Sequence, residues 1–128
     1  MAKKKILIVE DDQMNREYLS QLLEDDYIVV GVATGEEALE ILDETAPDLI
    51  IVDLGLPGVD GCELTRRLRH SPKWLRTPII AVTGHVRAGD TESATLAGCS
   101  DCLAKPIHDE TLLALLARHL GQDGGDGD

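Results

Sequence analysis

Phenylalanine is absent from this 128-residue chain, which carries one tryptophan, Trp74, and two tyrosines, Tyr18 and Tyr27. The core must therefore be aliphatic, and there are too few aromatic rings to sandwich a planar cofactor. Positive charge is scarce as well: 12 Lys and Arg against 24 Asp and Glu leave a net charge of −12. Nucleic-acid backbones and anionic membranes attract basic surfaces, so the balance argues against both as direct partners. No apolar run approaches the roughly 18 residues of a membrane-spanning helix. The four apolar residues between Lys5 and Glu10 are too few for a signal peptide. Three cysteines, an odd number with no export signal, suit a reducing cytoplasm.

What is present is a globular composition, 43% hydrophobic, with enough length for one domain and a real core. Apolar runs alternate with helical periodicity five times. Strands are expected at 5–10, 27–33, 48–53, 79–84 and 100–106, and helices at 12–25, 35–46, 62–70, 88–98 and 109–120. In the first helix Met14, Tyr18, Leu19 and Leu22 read as one apolar stripe. Asp12 is placed to cap it. Thr34 with Glu37 three residues on forms a capping box for the second helix. Gly121 stops the last helix, so a domain over 1–120 is followed by a Gly/Asp-rich tail, 121–128, that reads as flexible. Strict strand–helix alternation implies a parallel sheet with helices on both faces. Such sheets bind ligands outside the carboxyl ends of their strands, where strand order reverses.

Those ends carry chemistry. The first strand runs into Glu10 and Asp11, the third stops at Asp53, the fourth ends in Thr83-Gly84, and the fifth in Lys105-Pro106. Singly, each is ordinary loop chemistry. Together, in the order acid pair, acid, hydroxyl, lysine, they are not. If the first and third strands are neighbours, three carboxylates converge and repel, which favours a hard divalent cation such as Mg²⁺. Lys105 supplies a positive charge for a phosphoryl oxygen, Thr83 a hydroxyl, and Asp53 a carboxylate nucleophile. These are the parts of a phosphoryl-transfer site.

With "ILIVEDD", "PDLIIVDLGLPGVDG", "PIIAVTG" and "GCSDCLAKPI" in register over residues 4 to 120, the chain resembles the receiver domain of two-component response regulators. The resemblance implies a flavodoxin-like, five-stranded doubly wound sheet of order 2-1-3-4-5. It implies Asp53 as phosphoacceptor and Glu10 with Asp11 as the metal-binding pair. Mg²⁺ would be held by these three and the backbone carbonyl of Gly55. Thr83 then corresponds to the switch hydroxyl, and Lys105 to the family lysine, followed by a Pro106 whose peptide bond is typically cis. The implied activity is that of a switch rather than an enzyme, assisting its own phosphorylation and dephosphorylation. The implied donor is a sensor histidine kinase or histidine phosphotransfer protein, and the implied reader a downstream output protein. No second domain follows in the sequence, so output is expected through protein contact, through relay to another phosphotransfer protein, or through a domain outside this sequence.

Two departures stand out. Cys102 occupies the place, three before the lysine, where the family usually has an aromatic residue, and Gly84 replaces a usual alanine. Cys99 and Cys102 form a CxxC, but it enters a strand rather than opening a helix, and no other residue supplies zinc spacing. Packed thiols are the expectation. Gly55 lacks a side chain to shield the phosphorylated carboxylate, and His85 could hold an attacking water, so a short-lived phosphoaspartate is expected. The main rival is an aspartyl-phosphate phosphatase on a related fold, which usually wants a second Asp where this chain has Gly55. A flavin carrier of similar topology would need a phosphate loop after the first strand, and none is present.

Overall fold

The computed structural model describes residues 3–84 and 90–121. The five strands are β1 (Lys5–Val9), β2 (Ile28–Val32), β3 (Leu49–Asp53), β4 (Ile79–Thr83) and β5 (Asp101–Ala104). They alternate with α1 (Gln13–Leu23), α2 (Gly35–Thr45), α3 (Gly61–Arg69), α4 (Asp90–Ala97) and α5 (Asp109–Leu120). All pairings are parallel, in the order 2-1-3-4-5. The expected elements are all present, with every end within two residues of its expected place. His85 and the tail beyond Gly121 lie outside the described residues.

The near-continuous aliphatic strands are explained by burial on both faces, since successive side chains point to opposite sides. Ile6, Ile8, Leu49, Ile51, Ile80 and Val82 face one layer with Leu19 and Leu23 of α1 and Leu112 and Leu116 of α5. Leu7, Val9, Ile50, Val52 and Ile79 face the other, packing on Leu42 of α2, Leu64 and Leu68 of α3, and Trp74.

The first helix corrects the expected stripe. Leu19 and Leu23 are buried, Leu22 packs on them, but Met14 and Tyr18 are 78% and 51% exposed. Met14 lies roughly 140° around the helix from Leu19 at 3.6 residues per turn, too far to share its face. Tyr18 instead reaches across to α5, its hydroxyl donating to Asp109 Oδ1 at 2.5 Å.

Caps follow local chemistry. Asp12 accepts from the Met14 N–H, and Thr34 Oγ1 accepts from Glu37 N–H while Glu37 returns a carboxylate oxygen to the Ala33 N–H. Both α2 and α5 end in left-handed residues, but α5 uses Gly121 and α2 uses Ala46, at φ 48° and ψ 60°. A Cβ in that region clashes with the backbone carbonyl. Replacing Ala46, which is exposed, with glycine should therefore stabilise the protein by about 0.5–1 kcal/mol, the relief exceeding glycine's entropy cost. A raised denaturant midpoint with unchanged slope is the expected readout; a lowered midpoint would refute the strain.

Candidate functional site

Strand order reverses at β1, whose neighbours are β2 and β3. The carboxyl ends of β1 and β3 therefore open onto one crevice, and this brings Glu10 and Asp11 beside Asp53. One carboxylate oxygen from each lies within 4.8 Å of the others. Glu10 and Asp53 are buried, at 3% and 7% exposure, while Asp11 is exposed.

Lys105 closes the site from β5. Its ammonium donates to Asp53 Oδ2 at 2.8 Å and to Glu10 Oε1 at 3.0 Å. The other oxygen of each acid is held by backbone: Asp53 Oδ1 by the Gly55 N–H at 2.8 Å, Glu10 Oε2 by the Asp12 N–H at 3.0 Å. Thr83, 7% exposed, ends β4 one residue beyond the partner of Asp53, and its carbonyl accepts from the Lys105 N–H at 2.8 Å. The Lys105–Pro106 peptide is cis.

The turn after Asp53 depends on glycine at one point above all. A Cβ on Gly61 would come within 2.7 Å of the Asp53 carbonyl oxygen and 2.9 Å of Leu54 Cα. Only hydrogen at that position lets α3 start against the end of β3. Gly55 is different: a Cβ there would sit 3.4 Å from Asp53 Oδ1, in ordinary contact. The carboxylate is thus uncovered on the side where most residue types would shield it.

Three carboxylates face one ammonium, so the cluster keeps net negative charge. Burial pushes the Glu10 carboxyl above its ordinary range; hydrogen bonds from the Asp12 N–H and Lys105 oppose this without cancelling it. For Lys105, burial alone would lower the ammonium's pKa, but its bonds to Asp53 and Glu10 outweigh burial and raise it.

Of the residues proposed from the sequence, Glu10, Asp11, Asp53, Gly55 and Lys105 meet at this crevice, and Thr83 ends β4 beside Asp53. Missing from that reading were Arg16, whose guanidinium donates to the Glu10 carbonyl at 2.8 Å, and the Gly55 N–H as a donor to Asp53. Beside the acids lies a cavity of about 470 Å³ between α1 and the β5–α5 turn, lined by Asn15, Tyr18, Leu19, Pro106 and Ile107. Trp74, by contrast, follows α3 at the opposite end of the sheet, so its fluorescence is not a direct reporter of the acids. Cys99 is half-buried, with its sulfur 3.5 Å from Thr65 Oγ1, and burial raises its thiol pKa. That is the environment of an unreactive, packed thiol.

Comparison with known proteins agrees with this geometry. The model of the response regulator receiver domain matches residues 6–117. The polar-differentiation response regulator DivK of Brucella ovis is 34% identical over 119 residues, covering 92% of this chain and 97% of DivK. The receiver domain of the Pseudomonas aeruginosa sensor histidine kinase PA1611, solved with magnesium coordinated in its active-site cleft, is 36% identical. It superposes with a TM-score of 0.86 over 94% of this chain and 99% of its own. The Vibrio cholerae chemotaxis protein CheY4 is 32% identical with a TM-score of 0.86, over 91% and 98% of the two chains. Since the match spans nearly all of both partners each time, the chain belongs to the response regulator receiver domains, the phosphoacceptor switch modules of two-component signalling.

Proposed function

We propose that Asp53 takes a phosphoryl group from a phosphohistidine on a sensor kinase or histidine phosphotransfer protein, and that the acylphosphate switches binding of an output protein. One observation carries this reading: the Asp53 carboxylate stands at the end of β3 in the middle of the acid crevice, held at one oxygen by Lys105 and at the other by the Gly55 N–H. Transfer forms the bond from Asp53 oxygen to phosphorus as the bond to the donor histidine nitrogen breaks. The two hydrogen bonds orient the nucleophile in advance and lower the entropic part of the barrier. Lys105 is close enough to follow the charge onto the phosphoryl oxygens, and the Thr83 hydroxyl supplies a donor from β4.

The donor set fits Mg²⁺: the clustered ligand atoms are hard carboxylate oxygens, and one ammonium does not neutralise three acids. Glu10, Asp11 and Asp53 would hold the ion, with the Gly55 carbonyl. When bound, it would offset negative charge on the transferred group. The apolar-walled cavity beside the acids supports entry of a donor histidine on that side. Such kinases draw on ATP, which places the encounter in the cytoplasm.

Transfer from a panel of phosphorylated histidine kinases tests the reading. Label should pass to this chain in Mg²⁺ and stop in chelator; no transfer from any donor would remove it. Asp11→Asn should weaken Mg²⁺ binding, followed by NMR titration, by about 10-fold or more, since even outer-shell changes typically cost 10- to 100-fold. Affinity should also fall on acidification, starting above the ordinary glutamate range, because the proton competes at Glu10, whose pKa is raised. Unchanged affinity in Asp11→Asn would take Asp11 out of the site.

The lifetime of the acylphosphate depends on access for water. Gly55→Met places a side chain beside Asp53 Oδ1 and should slow hydrolysis several-fold, measured by decay of the labelled protein. An unaltered decay rate would show that water approaches from elsewhere.

A further inference from the structure

We propose that the pole opposite Asp53, where α3 turns into β4, docks a short acidic peptide segment of a partner protein. Five of the 12 Lys and Arg (Arg66, Arg67, Arg69, Lys73 and Arg76) fall within residues 66–76, and no acid occurs between Glu63 and Asp90. In a chain of net charge −12 this is a local reversal of sign.

The cations divide by what they already do. Arg69 is structural: its Nε donates to the Gly98 carbonyl at 2.9 Å, and its Nη1 to the carbonyls of Trp74, Leu75 and Thr77 at 2.8, 3.1 and 2.7 Å. It winds the loop so that Leu75 (54% exposed) and Arg76 face outward. Arg66 and Arg67 share Glu63. Lys73 sits 5.2 Å above the Trp74 ring and pairs with Asp43 at 3.1 Å, with both side chains exposed. An exposed pair of this kind holds weakly, so a ligand carboxylate can replace Asp43. Arg76 has no ion pair or hydrogen bond among the described residues and is exposed.

Lys73, Leu75 and Arg76 border a groove of about 390 Å³ together with Pro47, Pro72 and Pro78. The one acid in its wall, Asp48, accepts from the Lys5 N–H at 2.8 Å. Prolines and Leu75 suit an apolar side chain, and the two cations suit carboxylates on either side of it. The occupant is short because the favourable field is local. Beyond a screening length of about 8 Å, an extended polyanion or an anionic bilayer meets the acidic remainder of the surface. The groove lies at the starts of β3 and β4, whereas Asp53 ends β3. A strand of this length spans roughly 17 Å, so the groove and the acid crevice can be occupied together. The groove thus acts as a tether that raises a partner's effective concentration whatever the state of Asp53.

The test is titration of the full chain with a short peptide of Glu-Asp-Leu repeats, read by Trp74 fluorescence and by amide shifts. Shifts are expected at 70–78 and around Asp48, fading as salt rises. Arg76→Glu should weaken binding about tenfold or more. Asp43→Asn should strengthen it about threefold by releasing Lys73. The proposal falls if the peptide does not bind, if shifts centre on another face, or if Arg76→Glu binds as well as the wild type. It also falls if anionic vesicles or an RNA oligonucleotide displace the peptide at equal charge concentration.

Discussion

Acetyl phosphate with Mg²⁺ should add one phosphoryl group to the wild-type chain and none to Asp53→Asn. The substitution is nearly isosteric, and the amide oxygen can still accept from the Gly55 N–H. What it removes is the nucleophile: a carboxamide oxygen does not attack phosphorus at a useful rate. It also turns an acceptor toward Lys105 into an amide group carrying its own N–H donors, so the lysine is left with Glu10. The fold should persist, because one of the crowded carboxylates is gone and the repulsion among them falls. Intact-mass measurement reads the result directly. Full labelling of Asp53→Asn would move the acceptor to another acid, with Asp11 first in line because it is exposed and within reach of the same cluster.

Lys105→Met should slow that labelling by roughly 10²–10³-fold, the usual effect of removing a preorganised electrostatic partner of the reacting group. Label should still appear on Asp53. The same change leaves Glu10 and Asp53 buried, side by side, without their cation. Breaking a buried pair from one side costs about 3–5 kcal/mol, and the partial exposure of Lys105, 26% of its side chain, places the expected loss at the low end. The pH dependence has a definite sign. In the wild type the pKa of Lys105 is raised on folding, so its contribution is fully present below the ordinary lysine range and is lost as pH rises through the folded value. In Lys105→Met the deficit should appear at neutral pH and shrink on acidification, as Glu10 takes up a proton. Mg²⁺ should restore more stability to the variant than to the wild type. Thermal midpoints across pH, with and without Mg²⁺, test this; a variant as stable and as quickly labelled as the wild type would separate Lys105 from the site.

Local periodicity and punctuation in the sequence determined the ten elements, the caps at Asp12, Thr34 and Gly121, the burial of β3 on both faces and the identity of the strand-end residues. Those signals depend on neighbours within about four positions in the chain, as with Thr34 and Glu37 or the alternation from Ile6 to Val9. Adjacency across the sheet is another matter. The ammonium of Lys105 meets residues 95 and 52 positions away, and the pattern of any one segment carries no record of that. The family resemblance supplied the strand order that the spacing of apolar residues left open. Helix periodicity already separates Met14 from Leu19, but only the tertiary structure decided that Leu19 and Leu23 mark the buried face and that Tyr18 reaches to Asp109, because which face of α1 is buried depends on where the sheet and α5 stand. It also decided that Trp74, Lys73 and Arg76 lie at the pole remote from Asp53, because the length of α3 carries the chain back along the sheet before β4 begins. Burial, long-range pairing and the field of three converging carboxylates are properties of the packed chain; residue types and their spacing are properties of the sequence.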